Sequence, residues 1–165
     1  MNIVLHCPEI PQNTGNIGRT CAATGTKLHL IEPLGFKITD KNLKRAGMDY
    51  WYDLDVKYYD NYEDFCRKNP NITIYFATTK ALNTYSDVKY NEDDFIMFGS
   101  EGSGIPEDIL IENKKNCIRI PMYEKYRSLN LGNSVAIVLY EAMRQQNFKN
   151  FLMQGQLHDH NWSEI

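Results

Sequence analysis

The stretch Asn2–Ile31, NIVLHCPEIPQNTGNIGRTCAATGTKLHLI, reads as strand, turn, helix and second strand. Asn2–Cys7 and Lys27–Ile31 are short and apolar, the pattern of buried strands. Between them a helix is predicted over about Asn16–Thr24, stopping at Gly25, which suits a left-handed cap. Two strands joined this way lie parallel, with a right-handed crossover. The alternation continues outward. Further strands are predicted at Val56–Tyr59, Thr73–Ala77, Phe95–Phe98 and Cys117–Ile120. Helices are expected at about Lys41–Ala46, Tyr62–Lys68 and from near Pro106. The clearest is the last, where Val135, Val138, Leu139, Ala142 and Met143 follow the spacing of one helix face. The fold class is α/β, a mostly parallel sheet covered by helices on both faces.

Composition sets the bounds. A chain of 165 residues with 42% hydrophobic and 24% charged residues is one soluble-type domain, large enough to need no disulfide or metal staple. No apolar run reaches the length of a membrane span, and Met1–His6 lacks the basic start of a signal peptide. Cys7, Cys21, Cys66 and Cys117 match no zinc spacing and are expected to be reduced thiols in a cytoplasmic protein, without a metal. The tail, residues 151–165, has no clear period, and His158-Asp159-His160 fits a frayed polar terminus better than a metal site.

The formal charge of -3 argues mildly against a nucleic-acid partner, but the charge is uneven. Residues 49–64 carry a net -5, whereas residues 37–45 carry +3 and residues 114–127 carry +4. Two basic segments survive the acidic balance.

Three segments carry chemistry. Pro11-Gln12-Asn13-Thr14-Gly15-Asn16-Ile17-Gly18-Arg19-Thr20 follows the first strand and opens a helix, a place that suits an anion. An ordinary capped turn would account for its Asn and Gly residues equally well. Phe98-Gly99-Ser100-Glu101-Gly102-Ser103-Gly104-Ile105-Pro106 has three glycines within six positions at a strand end, allowing close backbone approach. Its Glu101 would repel a bare phosphate. The loop therefore suits a neutral or cationic ligand, or the acid caps a helix or orients a base. The third segment runs from Ile118-Arg119-Ile120-Pro121-Met122 to Arg127-Ser128-Leu129-Asn130-Leu131-Gly132-Asn133-Ser134. Such strand-end loops form the ligand crevice of open α/β sheets. Ser128 and Asn130 are hydrogen-bonding candidates, and Asn133 or Ser134 is the expected helix cap.

Together these segments resemble the three motifs of the SPOUT superfamily of RNA methyltransferases. The patterns are N-x-G-x-x-x-R at Asn13, Gly15 and Arg19, F-G-x-E-x-x-G-I-P at Phe98–Pro106, and I-P-M followed by S-L-N-L at Ile120–Leu131. Pro8–Asn16, Ile31–Phe36 and Lys44–Tyr50 are similar to the small single-domain subfamily that 2′-O-methylates the wobble nucleotide of tRNA. The resemblance covers about residues 1–148.

The resemblance implies one domain over residues 1–150, a C-terminal deep trefoil knot, S-adenosylmethionine as cofactor and a tRNA anticodon stem-loop as substrate. It implies a homodimer with active sites near the interface. By matching position, Ala77, Thr78, Gly99, Ile120, Met122, Ser128 and Leu129 would hold the cofactor, and Arg19, Asn130 and Tyr140 would serve the reaction, Arg19 reaching the partner subunit's cofactor. Asn13, Lys44, Arg45, Arg119 and Arg127 are the candidates for RNA contact. Tyr50, Trp51 and Tyr52 would stack a base or pack at the dimer interface. The motif departs in Gly102-Ser103-Gly104, where relatives often carry a bulkier or basic residue. Three other readings compete: methylation of another tRNA or rRNA position, a non-catalytic RNA-binding module, and a dinucleotide-binding oxidoreductase. The last lacks G-x-G-x-x-G.

Overall fold

The computed structural model describes residues 1–37, 51–52 and 54–162. The helix expected at Lys41–Ala46, with Lys44, Arg45 and Tyr50, lies outside them. In chain order the elements are β1 (Asn2–His6), α1 (Pro11–Thr24), β2 (Lys27–Ile31), β3 (Val56–Tyr59), α2 (Tyr62–Lys68), β4 (Ile74–Ala77), β5 (Asn83–Thr84), β6 (Phe95–Phe98), α3 (Glu107–Glu112), β7 (Cys117–Arg119) and α4 (Leu131–Gln145). A single turn of 3-10 helix, Lys114–Asn116, precedes β7.

The seven described strands form one sheet in the order β3-β2-β1-β6-β4-β7-β5, and every pairing is parallel. Side chains alternate across it, as a period of two requires. Ile3, Leu5, Ile96 and Phe98 face one way and join Ile17 and Cys21 of α1 and Val135, Val138 and Leu139 of α4. Val4, Phe95 and Met97 face the other way, among Phe65 of α2 and Leu110 of α3. Each buried aliphatic side chain contributes roughly 1.5–3 kcal/mol, so the two faces close the sheet from both sides.

The six expected strands are present, three with the expected bounds and three one residue shorter at one end. β5 is additional: two residues are too short to show a period. It pairs Asn83 with Ile118 of β7, while Ala77 of β4 pairs with the same Ile118 from the other side. Residues 78–82 therefore step across β7 between two strands at one level.

Helix α1 begins at Pro11, not near Asn16. Asn13, Thr14 and Gly15 are poor helix formers and read as a turn, yet they are buried inside the helix. The reason lies ninety residues away. The Glu101 carboxylate accepts hydrogen bonds from the Glu9 N–H at 2.8 Å, the Ile10 N–H at 3.3 Å and the Asn13 side-chain amide at 2.8 Å. It satisfies donors at the start of α1 that would otherwise be orphaned. The cap reading of Glu101 is the one realised.

Helix α4 begins at Leu131. Asn130, rather than Asn133 or Ser134, is its cap, with its side-chain oxygen accepting from the Asn133 N–H at 3.3 Å. Trp51 is buried at 7% exposure in the core beside Gly18, so it packs within its own chain. Tyr52 is exposed.

Candidate functional site

Three cavity walls come from segments that leave the sheet at the same edge. Phe98 of β6 is in register with Ala77 of β4, and Ala77 with Ile118 of β7. Beyond these residues the chain opens a cavity of about 640 Å³. That is the size of a small-molecule site.

The second segment shapes one wall. Gly104 N–H donates to the Ser100 carbonyl at 3.0 Å, and Gly104 takes φ +74. The loop thereby folds back onto the strand end. A Cβ on Gly99 would lie 2.0 Å from the Gly104 carbonyl carbon, so only glycine fits there. The Ser100 and Ser103 hydroxyls bond each other at 2.8 Å and hold the turn.

The third segment forms the facing wall. Ile120, Met122, Arg127, Ser128, Leu129 and Asn130 all line the cavity. Asn130 also ties the walls together. Its side-chain amide donates to the Asn13 Oδ1 at 3.0 Å, and Asn13 in turn donates to Glu101 at 2.8 Å. One residue from each segment thus joins a continuous hydrogen-bonded row. A reciprocal bond from the Gly102 N–H to the Glu9 carboxylate, 3.1 Å, fixes the loop on its outer side.

All seven residues expected to hold a cofactor line this cavity: Ala77, Thr78, Gly99, Ile120, Met122, Ser128 and Leu129. Asn13, Asn130, Arg119 and Arg127 line it as well. Arg19 and Tyr140 do not line it; both are exposed, on α1 and α4. The early start of α1 explains Arg19. The residue stands about 9 Å along the helix from Asn13 and turned about 120° from it.

Sequence reasoning missed Ile10, Thr79, Lys80, Tyr85, Ser134 and Val138, which also line the cavity. Tyr85 follows the two-residue β5, too short to flag. Val138 was visible only as a core position on the last helix.

The acid–base inventory is sparse. Among the described lining residues there is no His, Asp or Cys, and Glu101 is the one acid. Burial pushes the Cys21 thiol up to about 12 and raises those of Cys7 and Cys117, which removes the usual activation of a catalytic thiol. The four cysteines are free thiols. Among the described residues no group of three His, Cys, Asp or Glu side chains is placed to hold a metal ion. What the cavity offers is a mixed apolar and hydroxyl-lined pocket with two guanidinium groups in its wall.

Comparison with known proteins agrees with this geometry. A protein of Listeria monocytogenes serotype 4b, provisionally named a tRNA (cytidine(34)-2′-O)-methyltransferase, is 52% identical over 156 residues, covering 93% of this chain and 92% of its own. A Bacillus anthracis crystal structure, provisionally an RNA methyltransferase, is 48% identical with a TM-score of 0.88, covering 93% of this chain and 99% of its own. A solved structure concerned with 2-OH methylation of C/U34 on tRNA is 39% identical with a TM-score of 0.83, covering 90% of this chain and 97% of its own. The SpoU rRNA methylase family matches residues 1–140. The chain that builds this cavity from three strand-end segments therefore belongs to the SpoU rRNA methylase family.

Proposed function

We propose that this protein transfers a methyl group from S-adenosylmethionine to the ribose 2′-hydroxyl of the wobble nucleotide, cytidine or uridine, in the tRNA anticodon loop. The observation that carries the reading is the convergence of all seven cofactor candidates on one cavity whose wall also bears Arg119 and Arg127. The relatives of similar length named for this reaction support it.

The residues present fit the cofactor. Ala77, Ile120, Leu129 and Val138 offer apolar surface to a purine, and Gly99 lets backbone approach it closely. Thr78 and Ser128 offer hydroxyls to its polar end. The cofactor, when bound, supplies an electrophilic methyl carbon for in-line displacement by the hydroxyl oxygen. Alignment of such reactants contributes much of the acceleration. The Asn130–Asn13–Glu101 row holds the cavity walls in fixed relation and so preserves that alignment.

The 2′-hydroxyl must lose its proton. Glu101 is already committed to three donors. A guanidinium offers donors and no acceptor, so Arg19 serves as an anchor for the ribose–phosphate rather than a base. A substrate phosphate oxygen is the proton acceptor in this reading. Arg19 lies outside its own cavity, so a second copy must deliver it, and we assign the protein as a homodimer with sites at the interface. The exposed Ile137 and Tyr140 on α4, which packs against α1, supply apolar surface for that contact. Tyr140 then acts near the reaction centre from the interface.

The C-terminal part is assigned a deep trefoil knot, supported by the step of residues 78–82 across β7. The domain is assigned to residues 1–150, and residues 152–162 beyond it are exposed. The free thiols support a cytoplasmic location. No helix among the described residues is long and apolar enough to cross a membrane.

The test is methyl transfer to bulk tRNA followed by nucleoside analysis. A 2′-O-methylated cytidine or uridine mapped to the wobble position is expected. No such nucleoside above a no-enzyme control would overturn the assignment and favour a binding module.

A further inference from the structure

Residues 123–126 make an excursion bounded on both sides by the cavity. Met122 lines it before the excursion, and Arg127, Ser128 and Leu129 line it after. The Tyr126 N–H donates to the Tyr123 carbonyl at 3.0 Å and closes a tight turn. The two tyrosines therefore occupy the ends of one turn, with their Cα atoms within about 7 Å. Both rings are exposed, Tyr123 at 81% and Tyr126 at 59%.

Two large aromatics left in water at a cavity rim forgo burial that such rings normally contribute. Their setting is cationic. The Lys125 ammonium sits 5.0 Å from the centre of the Tyr126 ring. With Arg119 and Arg127 in the cavity wall, residues 119–127 carry a net +2 despite Glu124. Exposed aromatic faces interleaved with cations are what single-stranded RNA requires: stacking for splayed bases and charge for the phosphates between them. A purely apolar partner would not account for the three cations.

We infer that Tyr123 and Tyr126 form a stacking platform for the unpaired bases flanking the methylated nucleotide, with Lys125 and Arg127 on the intervening phosphates. The inference rests on the tRNA reading above and adds to it the residues that hold the loop open at the rim. Neither tyrosine lines the cavity, so cofactor binding is independent of them.

The experiment measures tRNA KM and kcat, S-adenosylmethionine affinity by calorimetry, and mass by sedimentation for Y123A, Y126A, the double alanine variant and Y126F. Binding of an anticodon stem-loop with 2-aminopurine beside the target nucleotide is read by fluorescence. Stacking is expected to make Y126A raise the tRNA KM by about fivefold or more, with cofactor affinity and mass unchanged. Y126F, which keeps the ring, is expected to stay near the parent protein, and 2-aminopurine quenching is lost only in the alanine variants. A double variant with KM and quenching within twofold of the parent overturns the platform. A change in mass instead places the rings between two copies and also overturns it. If the parent binds the stem-loop with ring-dependent quenching but never methylates it, the reaction assignment fails and the platform stands.

Discussion

Asn130 and Asn13, 117 residues apart in the chain, share a 3.0 Å hydrogen bond that fastens the start of the last helix to the first. Asn130 uses the other end of the same amide to cap α4. Asn13 passes the connection on to Glu101. Removing either asparagine therefore disturbs two cavity walls at once.

A double-mutant cycle on this pair is expected to give a coupling of about 1 kcal/mol, the range for contacting residues in one network. Asn130→Ala alone is expected to cost about 1–2 kcal/mol, because the helix cap is lost with the cross-chain bond. Urea unfolding of the two single variants and the double variant measures both. Strict additivity would show that the bond contributes nothing to stability.

Gly99→Ala is expected to abolish detectable cofactor binding. The added methyl would occupy the place of the Gly104 backbone, 2.0 Å away, and neither strand β6 nor the fold-back can give that much. Overpacking of this kind costs about 1–3 kcal/mol or more, so thermal unfolding should shift down as well. Calorimetric titration with S-adenosylmethionine alongside a melting curve checks both effects.

His29 predicts an acid-side loss of stability. Its ring is buried, with Nδ1 2.8 Å from the Tyr59 hydroxyl and Nε2 3.3 Å from the Asn2 side-chain oxygen. Burial lowers its pKa to about 4. The unfolded chain regains a value near 6.5 and binds the proton first. Stability is therefore complete above about pH 6.5 and falls as pH drops toward 4. At about 1.36 kcal/mol per unit this is about 3 kcal/mol between pH 7 and pH 4. Unfolding free energies across that window should show the slope, and His29→Gln should flatten it.

Arg19→Ala is expected to lower kcat on the order of 100-fold, as misplacement of a substrate does, with cofactor affinity unchanged. Mixing Arg19→Ala subunits with subunits carrying a disabling Ser128 change should regenerate one complete site per mixed dimer. Recovery of activity on mixing checks delivery of Arg19 by the second copy. Two inactive parents that stay inactive in a verified mixed dimer would refute it.

The strands, the apolar face of α4 and the seven cavity residues were legible because each rests on local information. Buried strands declare themselves by short apolar runs, and Val135 to Met143 by their spacing. The cavity residues were legible through resemblance, in motifs kept at sequence level. The start of α1 was not legible. Pro11 to Gly15 has the composition of a turn, and only the Glu101 carboxylate, arriving from a distant loop, makes helix the cheaper state. The cap of α4 was missed for a similar reason, since three polar residues in five offered equal local chemistry. Asn130 alone also had Asn13 to bond.

The chain by itself determined which segments are strands, which helix faces are apolar and which loops carry polar chemistry, because periodicity and short-range sterics act over a few residues. Only the tertiary structure decided that three such loops meet in one cavity, that β7 enters between β4 and β5, and that Arg19 is not among the residues lining that cavity. Those outcomes depend on hydrogen bonds and strand pairings between residues tens to more than a hundred positions apart. No local pattern encodes them.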